Sequence, residues 1–439
     1  MNPRLIGGEM VLWSDHSPVR GTALAPLLAL AAGRTLVAGP HDPALLTGDP
    51  TLLVRGLPDA EALAERFTVL CGSPAKLAGE WDTIVALDGL ERLGSAEEPQ
   101  LSWGETLDHL LAVLDPAGTL LLGVENYFGL HRLVALPPAL TDADWTPAAG
   151  HDDTRPAGLA AARSRLAAAG LTVARTYAVF GSPVEPTALL DTDHLADPSH
   201  RGAVEAALSR ASATPGEVLT DPRRLAVDAA RHGLAAELAP GWIFVAHRGP
   251  APAVPATDRG PAGPTLESLL LKAAAERDLP ALRALLSAWQ SGPAAGVPAG
   301  QVIGDGALVA PGTIEEALHD FAVTLLSGGF PHPFPAPAGA ADLTLTLAAM
   351  AGTELDPAAI PAAPGRASMQ DLIIERDRLA RELAEARERI AFGERTIAGR
   401  DRELVRARQV NALLSTTKPA RALLAGARLA RRTVRRIRR

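Results

Sequence analysis

The sequence has one cysteine, few aromatic residues and no long apolar run. Cys71 is the only cysteine in 439 residues, which excludes a disulfide framework and a multi-cysteine zinc site and fits a cytosolic setting. Aromatic residues make up 4% of the chain, and an apolar content carried by Ala and Leu favours helices over all-β sandwiches. The longest apolar run, about residues 21–33, contains Pro26 and is too short to span a bilayer. The beginning, MNPRLIGGEM, lacks the basic-then-apolar pattern of a signal peptide. We therefore expect a cytoplasmic protein that is soluble or peripheral at the inner face of the membrane.

Acidic and basic residues are distributed unevenly. The net charge is −8, yet the segment from Thr417 to Arg439 holds nine Lys or Arg and no acid. The rest of the chain therefore has 33 basic against 50 acidic residues. An acidic body with a basic tail predicts that the tail has an anionic partner of its own.

The first 249 residues alternate between short apolar runs and helical patterns, which predicts an α/β fold with a mostly parallel sheet covered by helices on both faces. Leu107, Leu110, Leu111 and Leu114 have helical spacing, and the turn 115–118 follows them. The predicted strands are 35–38, 51–54, 67–70, 82–87, 119–124, 171–180 and 242–247. The predicted helices are 103–114, 157–169, 201–211 and 222–232.

Two Pro-rich segments divide the remainder of the chain. The expected organisation is an α/β domain at 1–249, a Pro/Gly linker at 250–264, a small helical domain at 265–352, a second linker at 353–368, a coiled coil at 369–411 and a basic amphipathic tail at 412–439. In the fifth of these segments Leu383, Ile390, Ile397 and Leu404 recur every seven residues. Such heptads predict self-association through a coiled coil, although a solitary charged helix is the alternative.

The tail is predicted to be a basic amphipathic helix. Leu423, Ala427, Ala430, Val434 and Ile437 follow 4, 3, 4, 3 spacing on one face, and arginines fill much of the other. This pattern suits an anionic membrane surface. Nucleic acid is the competing partner, but no aromatic residues interleave the arginines as they do in stacking platforms.

A resemblance to a known family rests on the middle and the end of the α/β region. WDTIVALDGLERL (81–93) and LLAVLDPAGTLLLGVEN (110–126) resemble the fourth strand, the following helix and the fifth strand of class I SAM-dependent methyltransferases. VENYFGLHRLV (124–134) resembles a subgroup associated with bacterial cell-surface glycan genes. LTVARTYAVF and GWIFVAHR resemble the closing antiparallel strand pair of that fold, so the resemblance covers roughly residues 20–249.

The resemblance implies S-adenosyl-L-methionine (SAM) as cofactor, held by a Gly-rich turn after the first strand and an acid at the end of the second. The corresponding residues here are Gly39, which is followed by Pro40, with Asp42 as the only nearby acid. The second strand ends in Arg55, where an acid is expected, and Asp59 follows four residues later. We therefore predict Gly39, Asp42 and Asp59 as the cofactor-binding residues.

Three acids are the candidate catalytic residues. Asp88 and Glu91 follow the fourth strand of the family fold, and Glu125 follows the fifth. The carboxyl ends of neighbouring parallel strands form ligand sites, and a base near the methyl acceptor is sufficient for methyl transfer. The eleven histidines show no HExxH or other metal-ligand spacing, so no metal site is expected.

Two functions agree with these features. The first is a SAM-dependent methyltransferase acting on a sugar or glycan precursor at the cytoplasmic membrane face. The second is a non-catalytic, methyltransferase-like scaffold that has lost its cofactor, which the Gly39-Pro40 turn and the missing second-strand acid favour.

Overall fold

The protein divides into two compact units, Met1–Met369 and Gln370–Arg439. Its structure is a computed structural model that describes residues 2–134, 152–212, 220–249, 254, 259–334, 339–361, 369–416 and 418–437. The linkers predicted at 250–264 and 353–368 lie in part outside these ranges.

The first unit is built on a nine-stranded sheet. Its strands are β1 Arg4–Gly7, β2 Thr35–Ala38, β3 Thr51–Val54, β4 Thr68–Gly72, β5 Trp81–Ala86, β6 Leu114–Glu125, β7 Leu171–Gly181, β8 Pro186–Asp191 and β9 Gly241–Arg248. They are arranged in the order β1-β4-β3-β2-β5-β6-β9-β7-β8. In this order, all neighbouring strands between β1 and β6 pair in parallel, and β9 pairs antiparallel with both β6 and β7. The predicted α/β fold with a mostly parallel sheet is confirmed.

Helices cover both faces of this sheet because successive strand residues point to opposite sides. Within β2, Leu36 and Ala38 face one core while Val37 faces the other. The helices of the α/β region are α1 Ala25–Leu28, α2 Leu57–Leu63, α3 Trp103–Ala112, α4 Leu130–Val134, α5 Leu159–Ala168, α6 Thr192–Leu195, α7 Arg201–Ala211 and α8 Pro222–Arg231. Helices α3, α5, α7 and α8 contribute to the first core, and α1 and α2 contribute to the second.

Seven of these strands lie where the sequence predicts them, and two do not follow from local pattern. β1 and β8 are edge strands, and neither has the unbroken apolar run of a central strand. The residues predicted as a turn, 115–118, lie inside β6 instead. Leu114 pairs with Trp81 and Thr119 pairs with Thr83, so β6 has more residues than β5 between these two pairs, and the register is irregular there. A turn sequence is therefore accommodated here as a bulge in a strand.

A separate helical core follows the sheet within the same unit. It comprises α9 Leu266–Ala275, α10 Leu279–Ser291, α11 Ile314–Ser327 and α12 Ala340–Ala351, with a short hairpin of β10 Val302–Ile303 and β11 Gly306–Ala307. Gln301 joins this core to α7, because its Nε2 donates to Ala206 O (3.0 Å) and its Oε1 accepts from Arg210. Arg231 of α8 and Ser268 of α9 both donate to Glu205 of α7.

The second unit consists of helices. α13 spans Met369–Thr416 and α14 spans Lys418–Ile437. Leu383, Ile390, Ile397 and Leu404 of α13 are each more than half exposed, so self-association through this seam stays a prediction. Among the described helices of both units, none is long and apolar enough to cross a membrane.

Candidate functional site

The carboxyl ends of β5 and β6 border a cavity beside the point where the strand order reverses between β2 and β5. From β2 the strands continue through β3 and β4 on one side and through β5 and β6 on the other. Open α/β sheets bind ligands in the crevice at such a switch point. The cavity lies on the β5–β6 side of this point, has a volume of about 490 Å³ and reaches as far as β9 and β7. Its charged and aromatic lining consists of Asp88, Glu91, Arg92, Glu125, Tyr127, Arg132 and Trp242. All three predicted catalytic acids thus lie around one cavity.

Asp88 lies just beyond the end of β5, and its side chain is only 3% exposed. Arg92, four residues later, donates to this carboxylate from Nε (2.7 Å) and also from its second terminal nitrogen. Burial nevertheless raises the pKa of Asp88 to about 6, because the lost hydration outweighs the hydrogen bonds and the charge of Arg92. Asp88 is therefore ionised at neutral pH, yet it accepts a proton more readily than an exposed carboxylate does.

Glu91 is held by an arginine from a distant part of the chain. Arg155 Nε donates to Glu91 Oε1 (2.7 Å), and Arg155 Nη2 donates to the backbone oxygen of Glu125 (2.7 Å). The second carboxylate oxygen of Glu91 accepts from the backbone N–H of Leu90 (3.0 Å). One guanidinium therefore joins the loop that follows β5 to the end of β6.

Glu125 is the last residue of β6 and carries two basic partners. His131 Nε2 lies 2.9 Å from Glu125 Oε1, and Arg132 Nε donates to the same oxygen (3.0 Å). Burial acts to raise the pKa of Glu125, but the hydrogen bond from His131 and the charge of Arg132 outweigh it, so this pKa is lowered. Glu125 is thus more firmly ionised than Asp88, and Asp88 is the better proton acceptor of the two.

Tyr127 and Trp242 are cavity residues that the sequence prediction missed. The Tyr127 ring lies 3.7 Å from the Arg155 guanidinium and 4.6 Å from that of Arg132, as in cation–π contacts. Trp242 is 1% exposed, and its indole N–H donates to Ala236 O (2.7 Å). Tyr127 lies within ENYFGL, part of the stretch on which the family resemblance rests. This position in the motif is the feature of the sequence from which Tyr127 could have been predicted as a site residue.

Gly39 follows β2 and lies against Asp88. Its φ is +91°, in the left-handed region that favours glycine. A Cβ at this position would lie 3.6 Å from Asp88 Cβ, and the Gly39 carbonyl accepts from His41 Nδ1 (3.1 Å). Burial lowers the pKa of His41 to about 4, so this ring is neutral. Gly39 itself is not among the residues that line the cavity.

Asp42 and Asp59 bond to the protein's own groups. Asp42 caps the short turn Pro43–Leu45, where its Oδ1 accepts from Ala44 N (2.8 Å). Asp59, in the first turn of α2, accepts from Ser14 Oγ and from Asp15 N (2.8 Å). Neither lines the cavity, and the prediction that these acids bind the cofactor stays a prediction.

The carboxyl end of β3 is occupied by a buried ion pair. Arg55 directly follows β3, and its side chain is 1% exposed. Its guanidinium donates to Asp15 (Nε to Oδ2, 3.0 Å) and to Gly94 O (3.1 Å). At this end of β3, where the family resemblance implies an acid, the chain has Arg55. The carboxylate found there comes instead from Asp15 of the N-terminal segment, and Arg55 neutralises its charge.

Comparison with known proteins gives likenesses at low identity. No protein-family model matches the chain, and no curated protein matches it. The chain is similar to the CcbJ methyltransferase from Streptomyces caelestis (17% identity, 35% of this chain and 85% of that one, TM-score 0.25). It is also similar to the glycopeptide N-methyltransferase MtfA in complex with SAM (14% identity, 40% and 87%, TM-score 0.25). A SAM-dependent methyltransferase from Geobacter sulfurreducens, in complex with S-adenosyl-L-homocysteine, is a third such structure (15% identity, 53% and 92%, TM-score 0.26). At these identities and scores, the likenesses assign no function to this chain.

Proposed function

We propose that the protein is a SAM-dependent methyltransferase that acts on a sugar or cell-surface glycan precursor at the cytoplasmic face of the membrane. The observation that carries this proposal is the cavity beyond the carboxyl ends of β5 and β6, where Asp88, Glu91 and Glu125 lie together. A volume of about 490 Å³ lies within the range of small-molecule sites. The carboxylates and guanidiniums that line the cavity offer acceptors and donors for the hydroxyl groups of a sugar.

The residues at the end of β2 fit the methionine portion of SAM. Gly39 presents no side chain and has the backbone conformation of a tight turn, and Asp88 lies beside it. When bound, SAM supplies an electrophilic methyl group. Asp88 would take the proton from the acceptor hydroxyl or amine, while Glu91 and Glu125, fixed by Arg155 and by His131, would orient it. Methyl transfer needs positioning and a base rather than a covalent enzyme intermediate.

A non-catalytic, methyltransferase-like scaffold is the second candidate function. The buried Arg55–Asp15 pair favours it, because this pair fills the place where the family binds the cofactor ribose. Calorimetry of the full chain with SAM and with S-adenosylhomocysteine separates the two functions. Binding of either ligand supports the methyltransferase. Absence of both heat and thermal shift at millimolar ligand would leave only the scaffold.

Association with the membrane is part of this proposal and rests on α14. In this helix Arg428 and Arg431 are exposed, and Leu423 and Leu429 are at least 70% exposed. Each basic residue near an anionic bilayer contributes about 1 kcal/mol. Truncation after Asn411 should abolish sedimentation with phosphatidylserine vesicles at low salt. The double change Arg428→Glu and Arg431→Glu should weaken it strongly.

Two controls accompany the vesicle experiment. Charge reversal at Arg402 and Arg406, exposed residues of α13, alters net charge equally and should leave sedimentation unchanged. Vesicles of neutral phosphatidylcholine should not sediment the wild type. If the truncated chain sediments as well as the full chain, the tail does not bind the membrane. Preferential binding of the tail to RNA would favour the competing partner.

A further inference from the structure

The segment of residues 8–19, here called the N-terminal strap, runs along the carboxyl edge of the sheet. At the end of β4, Ser73 N donates to Gly7 O (2.8 Å), directly before the strap. At the end of β3, Met10 N donates to Arg55 O (2.8 Å). At the end of β2, Val19 N donates to Pro40 O (2.9 Å). The strap thus crosses the ends of three neighbouring strands, on the side of the switch point where a nucleotide would lie.

Polar side chains anchor the strap between these backbone contacts. Asp15 forms the buried pair with Arg55, and Asp59 accepts from both Ser14 and Asp15. Arg92, which also bonds to Asp88, donates to the carbonyls of His16 (2.5 Å) and Ser17 (3.0 Å). The same arginine therefore contacts a candidate catalytic acid and the strap.

The strap leaves no room for a ligand at the end of β3. A Cβ added to Gly56 would lie 2.3 Å from Trp13 O, so even a methyl group does not fit between the strap and the strand end. The Arg55 guanidinium lies 5.6 Å from the centre of the Trp13 ring. Any nucleoside bound beyond β3 would have to displace these residues.

Between its buried residues Met10 and Val19, apolar burial holds the strap only weakly. Val11 is 57% exposed and Leu12 is 96% exposed, although both are large apolar residues. Ser17 adopts φ +53°, a left-handed conformation that is strained for a residue other than glycine. Segments with few buried apolar contacts open locally at low free energy. The polar anchors therefore decide whether the strap stays in place.

We propose that the N-terminal strap is an autoinhibitory occupant of the nucleoside part of the cofactor site, so that SAM binds there only when the strap is released. This inference rests on the proposed methyltransferase function. The apparent dissociation constant then equals the intrinsic constant divided by the fraction of molecules with an open strap. A change that raises the open fraction about tenfold tightens SAM binding by the same factor.

Two single substitutions in the full chain loosen the strap. Asp15→Asn removes the charged partner of Arg55. Ser14→Ala removes the hydroxyl that donates to Asp59 and leaves that carboxylate in place. The second variant keeps the test valid if the first fails to fold. Asp108→Asn is the control for Asp15→Asn, because Asp108 is exposed on α3 and the charge change is identical.

Hydrogen exchange of peptides covering residues 8–19 and calorimetry with SAM give two independent readouts. Both loosened variants should exchange about tenfold faster in the strap and bind SAM about tenfold more tightly, whereas Asp108→Asn should do neither. Saturating SAM should accelerate exchange of the strap in the wild type.

Three results would overturn the inference, and they differ from one another. If SAM slows exchange in residues 8–19, the strap is a lid over the bound cofactor. If the variants exchange faster but bind SAM with unchanged or weaker affinity, the strap does not compete with SAM. If exchange accelerates while none of the proteins binds SAM at millimolar concentration, the methyltransferase function fails and the inference fails with it.

Discussion

Asp88→Asn should abolish a pH-dependent part of the stability of the first unit. The pKa of Asp88 is raised from 3.8 to about 6, mainly by burial, and the neighbouring acids Glu91 and Asp15 add to this increase. An acid with a raised pKa in the folded state stabilises the fold when protonated. This stabilisation is complete below pH 3.8 and is lost as the pH rises through 6. Between pH 7.5 and pH 5 the folded state therefore gains roughly 1.4 kcal/mol from Asp88.

Thermal unfolding at the two pH values measures this difference. For a unit that spans Met1–Met369, 1 kcal/mol corresponds to about 1–2 °C in Tm. On going from pH 7.5 to pH 5, the Tm of the wild type should therefore change by roughly 2 °C more in the stabilising direction than that of Asp88→Asn. Comparing the two proteins cancels the other groups that titrate in this range. Asp108→Asn, with its exposed carboxylate, should behave like the wild type.

If Asp88→Asn shifts the Tm by the same amount at pH 5 and at pH 7.5, Asp88 does not titrate between these values. Its role as the base with a raised pKa would then be untenable.

Three further predictions concern other parts of the chain. Burial and Asp320 raise the pKa of Glu267 to about 7, so the stability that protonated Glu267 contributes is lost as the pH rises through 7. In thermal melts, Glu267→Gln should be more stable than the wild type at pH 8.5 but not at pH 5. An equal difference in Tm at both pH values would contradict the raised pKa. Ser102 accepts from the backbone N–H of Glu105 as the cap of α3, so Ser102→Ala should lower the free energy of unfolding by about 1 kcal/mol in urea titrations, and an unchanged midpoint would argue against the cap. Leu383→Asp with Ile390→Asp should lower the mass in solution measured by light scattering, whereas an unchanged mass would exclude self-association through this seam.

Most of the sheet could be predicted from the sequence because central parallel strands are buried on both faces. TLVA and TLLV are unbroken apolar runs, and they form β2 and β3 with the predicted bounds. The edge strand β1 has no comparable run, since half of its residues are exposed, and only its pairing with β4 defines it. Local pattern carries no information about such a pairing, which spans more than sixty residues.

The candidate site was predictable to the extent that it follows from strand ends. The sequence predicts Asp88 and Glu125 because they lie at the ends of β5 and β6, and both line the cavity. Arg155 could not be assigned, because it reaches Glu91 across 64 positions. Arg55 stands where the resemblance predicts an acid, and the carboxylate at this strand end comes from Asp15, 40 positions earlier. Long-range polar contacts are set by the tertiary fold and leave no periodic signal in the sequence.

The position of β9 in the sheet has a consequence for synthesis on the ribosome. β9 is the last strand of this sheet in the chain, yet it inserts between β6 and β7 and pairs along its length with both. Until Arg248 has emerged from the exit tunnel, β6 and β7 each lack a partner on the side that β9 will occupy, and the backbone groups of these two edges remain available to other chains. Folding of the α/β region is therefore expected to finish late during translation, with a period in which aggregation is favoured. Ribosomes stalled before and after β9 should carry nascent chains that differ sharply in protease resistance.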